Sequence, residues 1–261
     1  MNDNMKRKDN KRDFKRGNMQ RPQEVFNIEE WKPLTRLGVQ VKKKEITDID
    51  TILDAGMIIQ EAEIVDALIP QLETEILLVG QAKGKFGGGQ RRIFKQTQKK
   101  TREGNKPNFA TVAVVGNKNG YVGIGYGKGR ETVPAREKAI RKAKLNVFKI
   151  RRGSGSWEST SNEAHSIPFK VDGKCGSIHL IVMPAPKGKG LVAEKECQKI
   201  LGLAGITDAW TKSQGHTATK LNMIKACIFA LQKLSTTKVR DDKLKGLGIV
   251  EGKIAEDKKD E

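Results

Sequence analysis

Between residues 121 and 129 the chain reads YVGIGYGKG, with glycine at every second position from Gly123 to Gly129. Successive side chains on a strand point to opposite faces. Val122, Ile124 and Tyr126 are therefore expected to pack inward, while Gly123, Gly125 and Gly127 leave the other face bare. Such a face invites another backbone to approach closely. The preceding NFATVAVVG (108–116) alternates as a half-buried strand does, and Asn119-Gly120 predicts a type I′ hairpin turn between the two.

Two nucleotide-binding motifs that use glycine do not fit. A P-loop requires G-x-x-x-x-G-K-[ST]; ahead of Gly127-Lys128 the first glycine is replaced by Val122, and the Ser or Thr by Gly129. G-x-G-x-x-G fails as well, because from Gly123 or Gly125 it needs glycine at Lys128 or Arg130. The glycines mark strand geometry.

Thr132 and Pro134 then supply helix-start chemistry, and a helix is expected through Ile150, with Ala135, Ala139, Ile140, Ala143, Val147 and Ile150 as its apolar stripe. Between residues 136 and 152 stand eight Lys or Arg and one Glu. Lys138, Arg141, Lys142 and Lys149 are expected near one face. A charged face is often plain solvated surface. Beside a bare-faced strand it favours RNA, in the manner of a double-stranded-RNA-binding module that reads phosphates and 2′-hydroxyls.

Charge supports a polyanionic partner, since 50 Lys and Arg against 31 Asp and Glu give +19 over 261 residues. It is unevenly placed. Residues 1–21 hold eight Lys or Arg and three Asp without hydrophobic periodicity, a flexible basic arm. Residues 45–75 hold nine carboxylates and no Lys or Arg, and are expected to meet another protein, since phosphate would repel them. Residues 83–106 carry nine basic residues with Gly84, Gly87, Gly88 and Gly89, and read as a loop able to wrap phosphates, with Lys85, Arg91 and Arg92 among its contacts. No apolar run approaches the roughly 18 residues of a spanning helix, and the N-terminus has no leader pattern, so a cytoplasmic protein is expected. Cys175, Cys197 and Cys227, with His165, His179 and His216, show no metal-ligand or disulfide spacing. No metal or cofactor is expected.

RRGSGSWESTSNEA (151–164) reads as a hinge. Beyond it a hairpin turning at Asp172-Gly173, a PKGKG loop, a helix, a short strand and a last helix give the order β-β-α-β-α. PKGKG at a helix start could hold an anion. No nucleophile, base or paired metal carboxylates accompany it, so a kinase reading is weak.

Several of these stretches closely resemble one family. FATVAVVGNKNGYVGIGYGKGRETVPAREKAIRKAKLN, RRGSGSWE, HSIPFKVDGKCGS, MPAPKGKGLV and LAGITDAWTKSQGHTATKLNMIKA are similar, in order, to universal small-subunit ribosomal protein number five, S-five in bacteria and S-two in eukaryotes. EWKPLTRLG and RRGSGSWE resemble its archaeal and eukaryotic branch. The resemblance, over roughly residues 30–234, implies an α+β chain: an extension with an acidic helical segment (30–80), a double-stranded-RNA-binding-like domain with a basic Gly-rich loop (81–152), a linker (153–164) and a C-terminal βαβ domain with a left-handed crossover (165–235); charge places a flexible basic arm (1–29) before it and a charged tail (236–261) after it. It implies a non-enzymatic constituent of the small subunit that binds rRNA, lies where messenger enters, touches small-subunit proteins four and eight, and supports decoding accuracy. No membrane and no homo-oligomer are implied.

Carried onto matching positions, the loop with Lys99, Lys100, Arg102 and Lys106, the turn Lys118, Asn119, Gly120 and Tyr121, and the strand through Gly123, Gly125, Gly127, Lys128 and Arg130 would touch RNA. Lys138, Arg141, Lys142, Arg151 and Arg152 join them from the basic run. Gly188 and Gly190 would face protein four. Archaeal relatives often carry cysteines around the GSWE loop, where Ser154, Ser159 and Ser161 stand here, so no metal is expected there. Residues 83–92 look like an insertion relative to many members, and the resemblance assigns no role to the first 29 residues or to the tail after Ser235.

Overall fold

The computed structural model describes residues 28, 30–82, 84, 91–159, 163–240 and 248–253. The basic arm apart from Ile28, Lys85 with the glycines at 87–89, Ser161 and the last residues of the tail lie outside the described residues.

Three short helices open the chain: α1 (Arg36–Lys42), α2 (Ile49–Asp54) and α3 (Ala62–Leu68). The Thr35 side chain caps α1 by accepting the amide of Gly38 at 3.1 Å. The buried Glu61 carboxylate accepts the amides of Leu34 and Thr35. Burial pushes that carboxyl up, but the hydrogen bonds from Thr35 and Leu34 outweigh it and hold it below its ordinary value.

A first sheet follows, built from β1 (Glu73–Leu77), β2 (Lys95–Thr101), β3 (Gly104–Gly116), β4 (Tyr121–Gly129) and β5 (Val147–Lys149), with α4 (Thr132–Leu145) between β4 and β5. Its order is β1-β3-β4-β5, and β2 pairs with the first half of β3. All pairings are antiparallel. The expected helix thus stops five residues early: Asn146 caps α4 and Val147 begins a strand, so Val147, Lys149 and Ile150 are not on it. The β3–β4 connection also differs from a two-residue type I′ turn. It spans 117–120 with positive φ at Lys118 and Gly120, and the Asn117 side chain accepts the amides of Asn119 and Tyr121.

The second half comprises β6 (Arg151–Arg152), β7 (Val171–Cys175), β8 (Ile178–Pro184), β9 (Leu191–Val192), α5 (Lys195–Leu203), β10 (Ala209–Gln214), α6 (Lys220–Thr236) and β11 (Val250–Glu251). Its sheet runs β7-β8-β10-β9, with β9 parallel to β10 through the α5 crossover. The β7–β8 hairpin turns at Gly176, φ +61°, rather than at Asp172-Gly173. Gly173 lies inside β7, where a Cβ would come within 3.0 Å of the Ala226 carbonyl of α6.

Both faces of the first sheet are covered within the chain. Val112, Val114, Val122 and Leu77 join Leu201, Leu203 and Ile206 of the second half in one core. Ala113, Val115 and Tyr121 pack with α4 and with Ile52, Ile64 and Val65 of the N-terminal helices in another. Alternation put Val122 in the first core correctly, and Ile124 packs against it, whereas Tyr126 is exposed. The expected hinge begins as packed chain: Gly153 and Ser166 exchange both backbone hydrogen bonds, and Gly153 and Ser154 are buried.

Candidate nucleic-acid interface

The bare glycine face is filled by the chain itself. A Cβ on Gly123, Gly125 or Gly127 would fall within 3.0 Å of the carbonyls of Ala143, Ala139 and Ala135 respectively. Two strand residues advance about 6.8 Å and four helix residues about 6.0 Å, so alternate glycines meet alanines at i, i+4. Helix α4 therefore lies antiparallel along β4, nearly backbone to backbone. Gly123, Gly125 and Gly127 are buried, and that face is closed to an outside ligand. The readable signal was Ala135-x-x-x-Ala139-x-x-x-Ala143, whose small side chains let the helix settle on that face.

Helix α4 sorts its cations. Arg136, Lys138, Arg141 and Lys142 are exposed, while Lys144 turns inward to Asp66 at 2.6 Å. Lys149, expected on the outer face, belongs to β5 and pairs with Asp54. Lys118 pairs with Glu73 at 2.5 Å. The acidic segment thus pairs three of its carboxylates, Asp54, Asp66 and Glu73, with the chain's own lysines.

The segment expected as a wrapping loop is, from Lys95 onward, a β-hairpin. Arg102 and Glu103 form the turn, and Gly104 takes the positive φ it needs. Every residue of β2 from Lys95 to Lys100 is exposed, because the KQTQKK sequence has nothing apolar to bury. Lys99 stands directly opposite Lys106, and Lys100, Arg102, Lys128 and Arg130 are exposed nearby in chain or register. Glu103 offsets one charge, at 3.2 Å from Lys106. Like charges placed opposite on a ribbon repel, a cost that an anion between them removes.

Several expected contacts are consumed inside the chain. The amides of Lys118 and Gly120 donate to the Leu203 and Ala204 carbonyls at the end of α5, so the β3–β4 turn caps that helix. Gly120 is buried under Gly252, and the buried Tyr121 hydroxyl bonds to Asp50. Burial, then Asp50, push that phenol above its ordinary value. Arg152 is buried, giving Nη2 hydrogens to the Asn119 side chain at 2.7 Å and the Gly252 carbonyl at 3.0 Å, and burial lowers its pKa. Arg151 pairs with Glu251 and donates to the Thr237 carbonyl. Arg91 donates to the carbonyls of Gly80 and Ala218, while Arg92 is exposed. Asn119, Gly120, Tyr121, Arg151, Arg152 and Arg91 thus all have partners within the chain.

Gly188 and Gly190 lie in an accessible loop with φ of +86° and +71°. One anchor fixes it: the buried Asp208 carboxylate accepts the Gly190 amide at 2.7 Å, and also binds the Thr207 hydroxyl and His165 Nδ1. Burial raises the Asp208 pKa, but these bonds, led by Gly190, hold it below its ordinary value. Ser159 Oγ sits 3.4 Å from His165 Nε2, which lines up Ser, His and Asp. The carboxylate is spent on the loop, and among the described residues no grouping of His, Cys, Asp or Glu could hold a metal.

Comparison with known proteins agrees with this architecture. The family models described as Ribosomal protein S5, N-terminal domain, and Ribosomal protein S5, C-terminal domain, match residues 93–151 and 173–244. The small ribosomal subunit protein uS5 of Nanoarchaeum equitans is 48% identical over 230 residues, 88% of this chain and 99% of the relative. That of Methanocaldococcus jannaschii is 46% identical, again covering 88% and 99%, and that of Methanobrevibacter smithii 44%, covering 86% and 98%. With both halves matched in order and nearly the whole length of archaeal relatives spanned, the chain belongs to the uS5 family of small ribosomal subunit proteins.

Proposed function

We propose that the chain is a structural, non-catalytic constituent of the small ribosomal subunit in the cytoplasm. Its β2–β3 hairpin and the outer face of α4 hold duplex regions of small-subunit rRNA. The observation that carries this reading is the division of its cations. Lys118, Lys144, Lys149, Arg151 and Arg152 are taken up by internal partners. Lys95, Lys99, Lys100, Arg102, Lys128, Arg130, Lys138, Arg141 and Lys142 stand exposed on the hairpin, β4 and α4. Cations on a rigid ribbon and helix suit a partner recognised by phosphate spacing more than by base sequence.

The first half then serves as the double-stranded-RNA-binding-like unit, and β9–α5–β10 is the crossover whose left-handed sense the resemblance implies. The Gly188–Gly190 loop, fixed by Asp208 yet accessible, is the contact offered to small-subunit protein four, with protein eight as a second neighbour. Placement by the incoming messenger and support of decoding accuracy follow from the same family reading. Sedimentation of an extract of the source cells, with a high-salt wash of the small-subunit peak, tests the role. One copy per subunit is expected to survive the wash. A salt-stripped, sub-stoichiometric chain would favour a free RNA-binding regulator.

A further inference from the structure

Among the described residues, the second sheet is covered on only one of its faces. Val182, Leu180 and Gly173 face α5 and α6, and the opposite face carries the alternate residues of β7, β8 and β10. Trp210 stands at one end of this open face, directly opposite Met183 on β8 and beside Val192 on β9. Trp210 is 36% exposed and Val192 54%. One row along, Lys212 stands opposite Ile181, and a further row brings Lys174 opposite His179. None of these residues is buried.

The chemistry of the face is one-sided. Neither Lys212 nor Lys174 has an ion-pair partner among the described residues, and the carboxylate on this face, Asp172, is neutralised by Lys233 at 2.5 Å. An indole on a flat sheet, followed along the strands by unpaired cations, supplies a plane for a base and charges for the phosphates next to it. A duplex keeps its bases stacked inside and could use only the cations.

We propose that this open face is a docking surface for an unpaired segment of small-subunit rRNA, with a base stacked on Trp210 and the backbone passing Lys212 and Lys174. A stationary strand suits it better than a passing messenger, because the half-exposed Met183, Ile181 and Val192 gain from permanent cover. The surface is distinct from the duplex interface on the hairpin and α4, and rests on the ribosomal reading only for the source of its RNA.

The full-length chain carrying Trp157→Phe leaves Trp210 as the exposed tryptophan, since Trp31 is largely buried. Titration with a ten-nucleotide oligouridylate is expected to quench it. In fluorescence anisotropy Trp210→Ala weakens oligouridylate binding about tenfold or more, the range expected for one base on one ring. Trp210→Phe retains most of it, and duplex binding by Trp210→Ala stays unchanged, which also shows that the variant is folded. Oligouridylate affinity unaltered by Trp210→Ala overturns the proposal. In assembled subunits a photocrosslinker at position 210 is expected to reach rRNA, and crosslinks only to messenger or to protein overturn the assignment. A chain absent from subunits that still binds oligouridylate through Trp210 would sink the ribosomal role and leave the surface standing.

Discussion

The Asp208 carboxylate accepts the amide of Gly190 at 2.7 Å while its second oxygen binds His165 and Thr207, so one buried side chain ties the PKGKG loop to the segment entering β10. Asp208→Asn is expected to destabilise the protein by about 1–3 kcal/mol, because a buried charge-assisted bond is lost. Urea unfolding at neutral pH checks this, and faster hydrogen exchange at the Gly190 amide locates it. The pH dependence has a definite sign. The folded Asp208 pKa lies below its ordinary 3.8, so the contribution is complete at neutral pH and drains as pH falls through 3.8 towards the folded value. The difference between wild type and Asp208→Asn should therefore shrink in acid.

Gly125 and Gly202 should respond in opposite ways to alanine. A Cβ on Gly125 meets the Ala139 carbonyl and the Ala143 amide, both backbone of a packed helix, and the expected cost is about 3 kcal/mol or more. Around Gly202, within α5, a Cβ meets nothing within 4 Å, and alanine should stabilise by about 0.5–1 kcal/mol. Urea midpoints of the two variants measure both.

Alternation located β3 and β4 and their core side, because period two survives tertiary packing. It did not show what fills the bare glycine face, since the partner helix comes later in the chain and its small residues read equally well as a plain apolar stripe. Nor did it show which lysines face outward: Lys142 and Lys144 look alike until Asp66 is seen beside one of them. The hairpin at 95–106 went unread for want of apolar residues, its strands being set by pairing with the rest of β3 and by Gly104 rather than by burial.

Lys142→Gln and Lys144→Gln separate binding from stability. Lys142 is exposed, so its loss should weaken duplex RNA binding and reduce the salt slope by about one, with the unfolding midpoint unchanged. Lys144→Gln breaks a half-buried pair with Asp66 and should cost about 1 kcal/mol of stability while leaving the salt slope intact. Binding isotherms at several salt concentrations, beside urea curves, check both.

Ending the chain after residue 247 removes the β11 pairing with β6, the Glu251 partner of Arg151 and the Gly252 carbonyl that Arg152 uses. The buried guanidinium is left with fewer acceptors, and a loss of about 3–5 kcal/mol is expected. The same truncation combined with Arg152→Met should recover part of it, because the charge that needs the carbonyl is gone. Chemical denaturation of the two truncated chains measures the recovery.

The position of β11 also sets an order of events during synthesis. Glu251, which pairs with Arg151, and Gly252, whose carbonyl accepts from Arg152, each come 100 positions later in the chain. The first half therefore emerges from the ribosome before the partners of its β3–β4 turn exist: the end of α5 covers the turn first, and residues 250–252 close over it later. A chain released before that point carries every exposed cation of the hairpin and α4 yet has an unfinished joint between its halves. The joint between the halves is therefore a late-closing part of the fold, set by residues 250–252 and not by either half alone.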